Sequence, residues 1–70
     1  VYKFKKELKN EALKGRTITY LANEIGITKV YLTNILNGKR ECSKVVAYSI
    51  TKVLNNEKEL KDYFVKKEVL

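Results

Sequence analysis

The sequence has no proline, histidine, methionine or tryptophan, a single cysteine and only three glycines among its 70 residues. Each absence closes off a class of protein. With no histidine and with Cys42 alone, no Cys/His zinc cluster can be assembled and no disulfide can form within the chain. The usual general bases and nucleophile–base pairs are missing too. The carboxylates at Glu7, Glu11, Glu24, Glu41, Glu57, Glu59, Asp62 and Glu68 are scattered rather than paired. No glycine-rich phosphate cradle is present, so neither an enzyme nor a cofactor or small-molecule substrate is expected. No apolar run approaches the roughly 18 residues of a membrane span, and no secretory leader pattern opens the chain. A cytoplasmic location, away from membranes, is the expectation. The lack of methionine even at position 1 suggests that a leader residue or flanking sequence has been removed or left out.

What is abundant is positive charge: 15 Lys and Arg against 8 Asp and Glu give a net charge of +7. For so short a chain this favours polyanionic partners, nucleic acid or an acidic surface, without choosing between them. The wealth of Leu, Ile, Lys and Glu favours helices over strands. Residues 1–70 are expected to form one domain. Its core is modest, because a chain of this size buries only about 60% of its unfolded surface.

Hydrophobic periodicity divides the chain. Val1, Phe4, Leu8 and Ala12 recur at helical spacing until Gly15 offers a left-handed stop, which predicts a first helix. Ile18, Leu21, Ala22 and Ile25 follow the i, i+3, i+4, i+7 pattern behind Thr17, a natural N-cap, and end at Gly26. Thr28 caps a third helix with Leu32 and Ile35 facing inward and Asn37-Gly38 closing it. Ser43 caps a fourth, whose stripe is Val46, Ile50, Val53 and Leu54. Asn56, with Glu59 three residues on, resembles a capping box for a fifth helix docked by Leu60, Tyr63 and Phe64; the tail, 66–70, is expected to fray.

Between Ile18 and Ile35 the pattern specifies more than two amphipathic helices. Ala22 is small, as a closely crossing second helix requires, and Gly26 sits where a tight turn needs a positive φ. Ile27 is placed to tuck beneath the corner, with Leu32 and Ile35 completing the wedge. In this register the stretch from Thr17 to Arg40 resembles the phage Cro and repressor (XRE-like) helix-turn-helix family. Leu21-Ala22, Gly26, the Thr28 cap and Asn37-Gly38-Lys39 all match, and the likeness extends over roughly Phe4 to Phe64. It implies an all-α fold, a compact four- or five-helix bundle of the lambda repressor-like DNA-binding type, with the motif proper at about 17–37. One position departs. Such proteins often begin the earlier helix with a glutamine that holds a DNA phosphate, whereas this chain has Ile18. Thr17, Thr19 or backbone N–H groups at the helix start would have to substitute.

From Thr28 to Arg40 there is no acid, although a helix's first turn ordinarily favours Asp or Glu. An anion is therefore expected opposite. With Leu32 and Ile35 inward, Lys29, Val30, Thr33 and Asn34 are the expected base-reading residues. Lys29 suits guanine O6 or N7, Asn34 suits adenine N6 and N7, and Val30 suits a thymine methyl. The expected phosphate-binding residues are Thr17, Thr19, Thr28, Tyr31, Asn37, Lys39 and Arg40. Lys3, Lys5, Lys6 and Lys9 read as a solvated helix face offset by Glu7 and Glu11, and Cys42 reads as an inert thiol rather than a redox switch.

The resemblance implies a sequence-specific regulator that represses by occupying a promoter as a homodimer on a palindromic operator in double-stranded DNA. Tyr63, Phe64, Val65, Val69 and Leu70 are candidates for the dimer surface. The alternative is a protein-interaction module, antitoxin-like or inhibitory, using Val30, Tyr31 and Leu36 as an apolar patch. RNA binding is a weaker variant, since no aromatics are interleaved with glycine and basic residues as base stacking on a sheet requires.

Overall fold

The computed structural model describes residues 1–67. Its order is β1 (Tyr2–Phe4), a 3-10 turn (Lys6–Leu8), α1 (Lys9–Leu13), α2 (Ile18–Ile25), α3 (Lys29–Leu36), α4 (Lys44–Leu54), α5 (Leu60–Tyr63) and β2 (Phe64–Lys66). The body is a helical bundle. Thr17, Thr28 and Ser43 cap α2, α3 and α4 as their side-chain type and position imply. Each hydroxyl accepts from the amide three residues on, Tyr20, Tyr31 and Val46, at 3.1, 3.1 and 3.3 Å.

The first helix begins later than its periodicity suggests. Tyr2 to Phe4 form a strand antiparallel to β2, with Tyr2 opposite Lys66 and Phe4 opposite Phe64. On its other side Tyr2 exchanges both backbone hydrogen bonds with Cys42, at 2.7 and 2.8 Å. The apolar spacing misled because Phe4, Leu8 and Ala12 do face the core. Phe4 reaches it from extended backbone, and Val1 stays 43% exposed. Pairing with β2 on one edge and with Cys42 on the other gives the backbone of Lys3 and Tyr2 the partners that a helical turn would otherwise supply.

α1 stops at Leu13, with Lys14 left-handed (φ 49°) ahead of Gly15. Arg16 folds back to donate to the carbonyls of Leu13 and Ala12, both at 2.9 Å, which satisfies acceptors that a helix end leaves open. Asn56 joins the same knot and does not cap the fifth helix. Its amide donates to the Ala12 carbonyl and the Tyr63 hydroxyl, and its oxygen accepts from Arg16. The N-cap of α5 is instead Glu59, whose N–H donates to the Asp62 carboxylate at 2.8 Å.

Phe4, Leu21, Leu32, Ile35, Leu36, Ile50 and Leu54 fill the core. Phe4 stacks on Tyr63 (5.9 Å between ring centres) and meets Phe64 edge-on (5.3 Å). Tyr63 and Phe64 are therefore core residues, each 3% exposed, and cannot form a dimer surface. Leu36, at 1%, is likewise withdrawn from any surface patch. At the start of the tail, Lys66 lies in β2 and the Lys67 amide donates to the Val1 carbonyl at 2.8 Å. The remainder of that tail, Val69 and Leu70 included, lies outside the described residues.

The Arg16–Asn56–Tyr63 knot ties α1 to the α4–α5 connection, and it yields a first prediction. Asn56→Ala leaves the Tyr63 hydroxyl and the Arg16 guanidinium short of a partner, so urea unfolding should show a loss of about 1–3 kcal/mol. A wild-type midpoint would show that the knot contributes nothing.

Candidate nucleic-acid interface

The corner between α2 and α3 is made by backbone groups. Gly26 has φ 91°, and the amides of Gly26 and Ile27 both donate to the carbonyl of Ala22, at 2.8 and 3.1 Å. Ile27 is half-buried against the core, and Ala22 is 2% exposed beneath the crossing. A residue with a β-carbon at Gly26 would meet no atom within 4 Å. The requirement for glycine is therefore conformational rather than steric.

α3 leaves this corner with Leu32, Ile35 and Leu36 buried. At 3.6 residues per turn, Val30, Thr33, Asn34 and Asn37 form the opposite stripe, again at i, i+3, i+4, i+7. Val30, 70% exposed, stands at its crest. Lys29 is exposed at the first turn, while Thr33 and Asn34 are half-exposed. The stripe thus presents one branched apolar side chain beside a hydroxyl and two amides. Of the four expected readers, the structure brings Val30, Thr33 and Asn34 onto this stripe and leaves Lys29 at its flank.

The residues expected to hold phosphates surround it. Thr17, Thr19 and Thr28 are exposed. The Thr17 and Thr28 oxygens accept cap hydrogen bonds, which leaves each hydroxyl proton available to donate outward. α2, α3 and α4 all open without an acid in the first turn. Ile18, in contrast, turns inward against the core, so the position where the family often has glutamine offers no polar group. Lys39 and Arg40 are not loose. Their amides both donate to the Asn34 carbonyl, at 2.9 and 3.2 Å, folding the loop back along α3. Arg40 lies over the Tyr31 ring, 5.1 Å from its centre, so the half-buried Tyr31 serves as its platform. Asn37 accepts from the Lys9 ammonium at 2.7 Å through Oδ1, which leaves its NH₂ side uncommitted.

That Lys9 contact was invisible in the sequence. Residues 9 and 37 are joined by topology, and periodicity assigned Lys9 to a solvated face. Cys42 is buried, with both backbone groups paired to Tyr2. Burial pushes its thiol pKa up, and the amino-terminal ammonium only partly opposes this. A neutral, covered thiol is a poor nucleophile.

Two predictions follow from this geometry. Gly26→Ala should cost about 1–2 kcal/mol in urea unfolding, the penalty of a left-handed alanine, with Gly26→Asn costing less; equal stability of all three proteins would remove the corner argument. Cys42 in the folded protein should react with iodoacetamide far more slowly than in urea, and equal rates would contradict its burial.

A family model described as Helix-turn-helix matches residues 5–60. Neither among curated proteins nor among solved structures does anything match significantly. Among the described residues no helix is long and apolar enough to cross a membrane.

Proposed function

The chain belongs to the Cro/C1-type (XRE-like) helix-turn-helix family, a family of DNA-binding regulators, and from that premise we propose that it is a sequence-specific repressor of the Cro type. The observation that carries this reading is the outward side of α3. Val30, Thr33, Asn34 and Asn37 form a stripe with no core partner, in a segment with three cations and no acid from Thr28 to Arg40.

α3 enters the major groove. Asn34 pairs with the N6 and N7 edge of adenine, Val30 touches a thymine methyl, and Lys29 donates to a guanine from the first turn. Thr33 supplies a hydroxyl to either kind of edge. Thr17, Thr19, Thr28, Tyr31, Asn37, Lys39 and Arg40 contact the flanking phosphates and fix the register, with Tyr31 acting also through the Arg40 it supports. Repression is steric, by occupation of promoter DNA. A single module reads few base pairs, so the active species is a homodimer on a palindromic operator with half-sites about 34–36 Å apart. Of the expected dimer candidates within the described residues, Val65, 48% exposed, is the one that remains at the surface.

The interaction-module reading loses support, because Leu36 is buried and Val30 and Tyr31 alone make a small patch, with Arg40 covering Tyr31.

Selection from random duplex DNA should enrich a palindromic motif; enrichment of none would end the regulator reading. On the selected site, Asn34→Ala should cost about 1–3 kcal/mol and relax preference at one base position. Lys39→Ala should instead weaken all sequences alike, and lower the salt slope of log K by about 0.9.

A further inference from the structure

The amino-terminal lysines gather at the carboxyl end of α3. Around Gly38 the nearest atoms to a hypothetical β-carbon are Cβ and Cδ of Lys6, both at 3.5 Å, and Cε of Lys3 at 3.7 Å. Lys9 is bonded to Asn37, and Lys39 and Arg40 follow Gly38 directly, held by the Asn34 carbonyl. Two segments distant in sequence, 3–9 and 37–40, thus place Lys3, Lys6, Lys9, Lys39 and Arg40 around one turn.

The acids nearest in sequence are Glu7, Glu11 and Glu41, all exposed and none in an ion pair. Among the described residues the one salt bridge, Lys61 to Glu59 at 3.4 Å, lies elsewhere. Five cations against three carboxylates leave a local surplus. The negative end of α3 offsets only about half a charge of it. Like charges assembled by folding and left unpaired mark a place where an external anion lowers the free energy.

A helix about 10–12 Å across fills a major groove about 12 Å wide, so the end of α3 must pass close to a phosphate wall. We propose that Lys3 and Lys6, with the Gly38–Arg40 turn, clamp the phosphates of duplex DNA beyond the bases α3 reads, while Lys9 positions the Asn37 amide toward the same strand. This rests on the DNA-reading role of α3 and extends it. The amino-terminal strand and turn add sequence-independent contacts on flexible stems that act as point charges.

The test compares wild type, Lys3→Gln/Lys6→Gln and, as an equal-charge control in the groove between α4 and residues 57–60, Lys52→Gln/Lys58→Gln. Binding to the selected duplex and to a scrambled duplex of equal length is measured across a salt series. The amino-terminal pair should make the slope of log K against log salt shallower by about 1.8, two phosphates at about 0.9 each, with base preference unchanged. The control should leave the slope at the wild-type value. Wild-type binding with the same slope in the amino-terminal variant overturns the clamp and leaves the reading of α3 standing. An equal change in the control overturns it too, since overall charge would then suffice. Failure of the wild type to bind either duplex sinks both. Melting curves verify folding, and should the double variant be unstable, Lys6→Gln alone, at an exposed position, should lower the slope by about 0.9.

Discussion

The carbonyl of Ala22 receives two amides, Gly26 and Ile27, and the direction of α3 depends on that convergence. Were the chain at residue 26 confined to negative φ, the first amide could still end α2, but the chain could not double under it to bury Ile27. α3 would leave at another angle, its wedge of Leu32, Ile35 and Leu36 would not meet the core, and the stripe running from Val30 to Asn37 would not face outward. A local backbone requirement of one residue thereby governs a surface formed four to eleven residues later.

A second constraint works from the ends of the described chain. β1 is held between Cys42 and β2, and its Phe4 is enclosed by Tyr63 and Phe64. Because Cys42 closes the loop that follows α3, the same small sheet that joins the two ends also steadies the segment carrying Lys39 and Arg40. Arg40 is further steadied by Tyr31. The cations around α3 therefore sit on a surface organised before any partner arrives, which lowers the ordering cost of binding.

The helical part of this fold was legible in the sequence because its signals are local. Thr17, Thr28 and Ser43 announce their helices by side-chain chemistry, and Gly26 announces its turn by conformational freedom. The outward residues of α3 were legible for the same reason, since fixing Leu32 and Ile35 inward fixes the rest by periodicity. What failed depended on partners far along the chain. Phe4 fits a helical stripe and a strand equally well, and only β2 and Cys42 decide between them. Asn56 has the chemistry of a cap, but Ala12 and Tyr63 claim its amide. Tyr63 and Phe64 read as surface candidates until Phe4 is seen to need them. The gathering of Lys3, Lys6 and Lys9 at Gly38 likewise has no sequence signature, because a lysine's neighbours across the fold leave no trace in its spacing.

Of the outward stripe of α3, Val30, Thr33 and Asn34 place no side chain in the core, and the interior asks little of them beyond helical backbone. Substitutions at Val30, Thr33 and Asn34 should consequently cost folding less than changes at the inward Leu32, Ile35 and Leu36. On the proposed reading of α3, the address and the architecture are written on different faces of one eight-residue helix, which would let specificity change while the molecule that carries it stays the same.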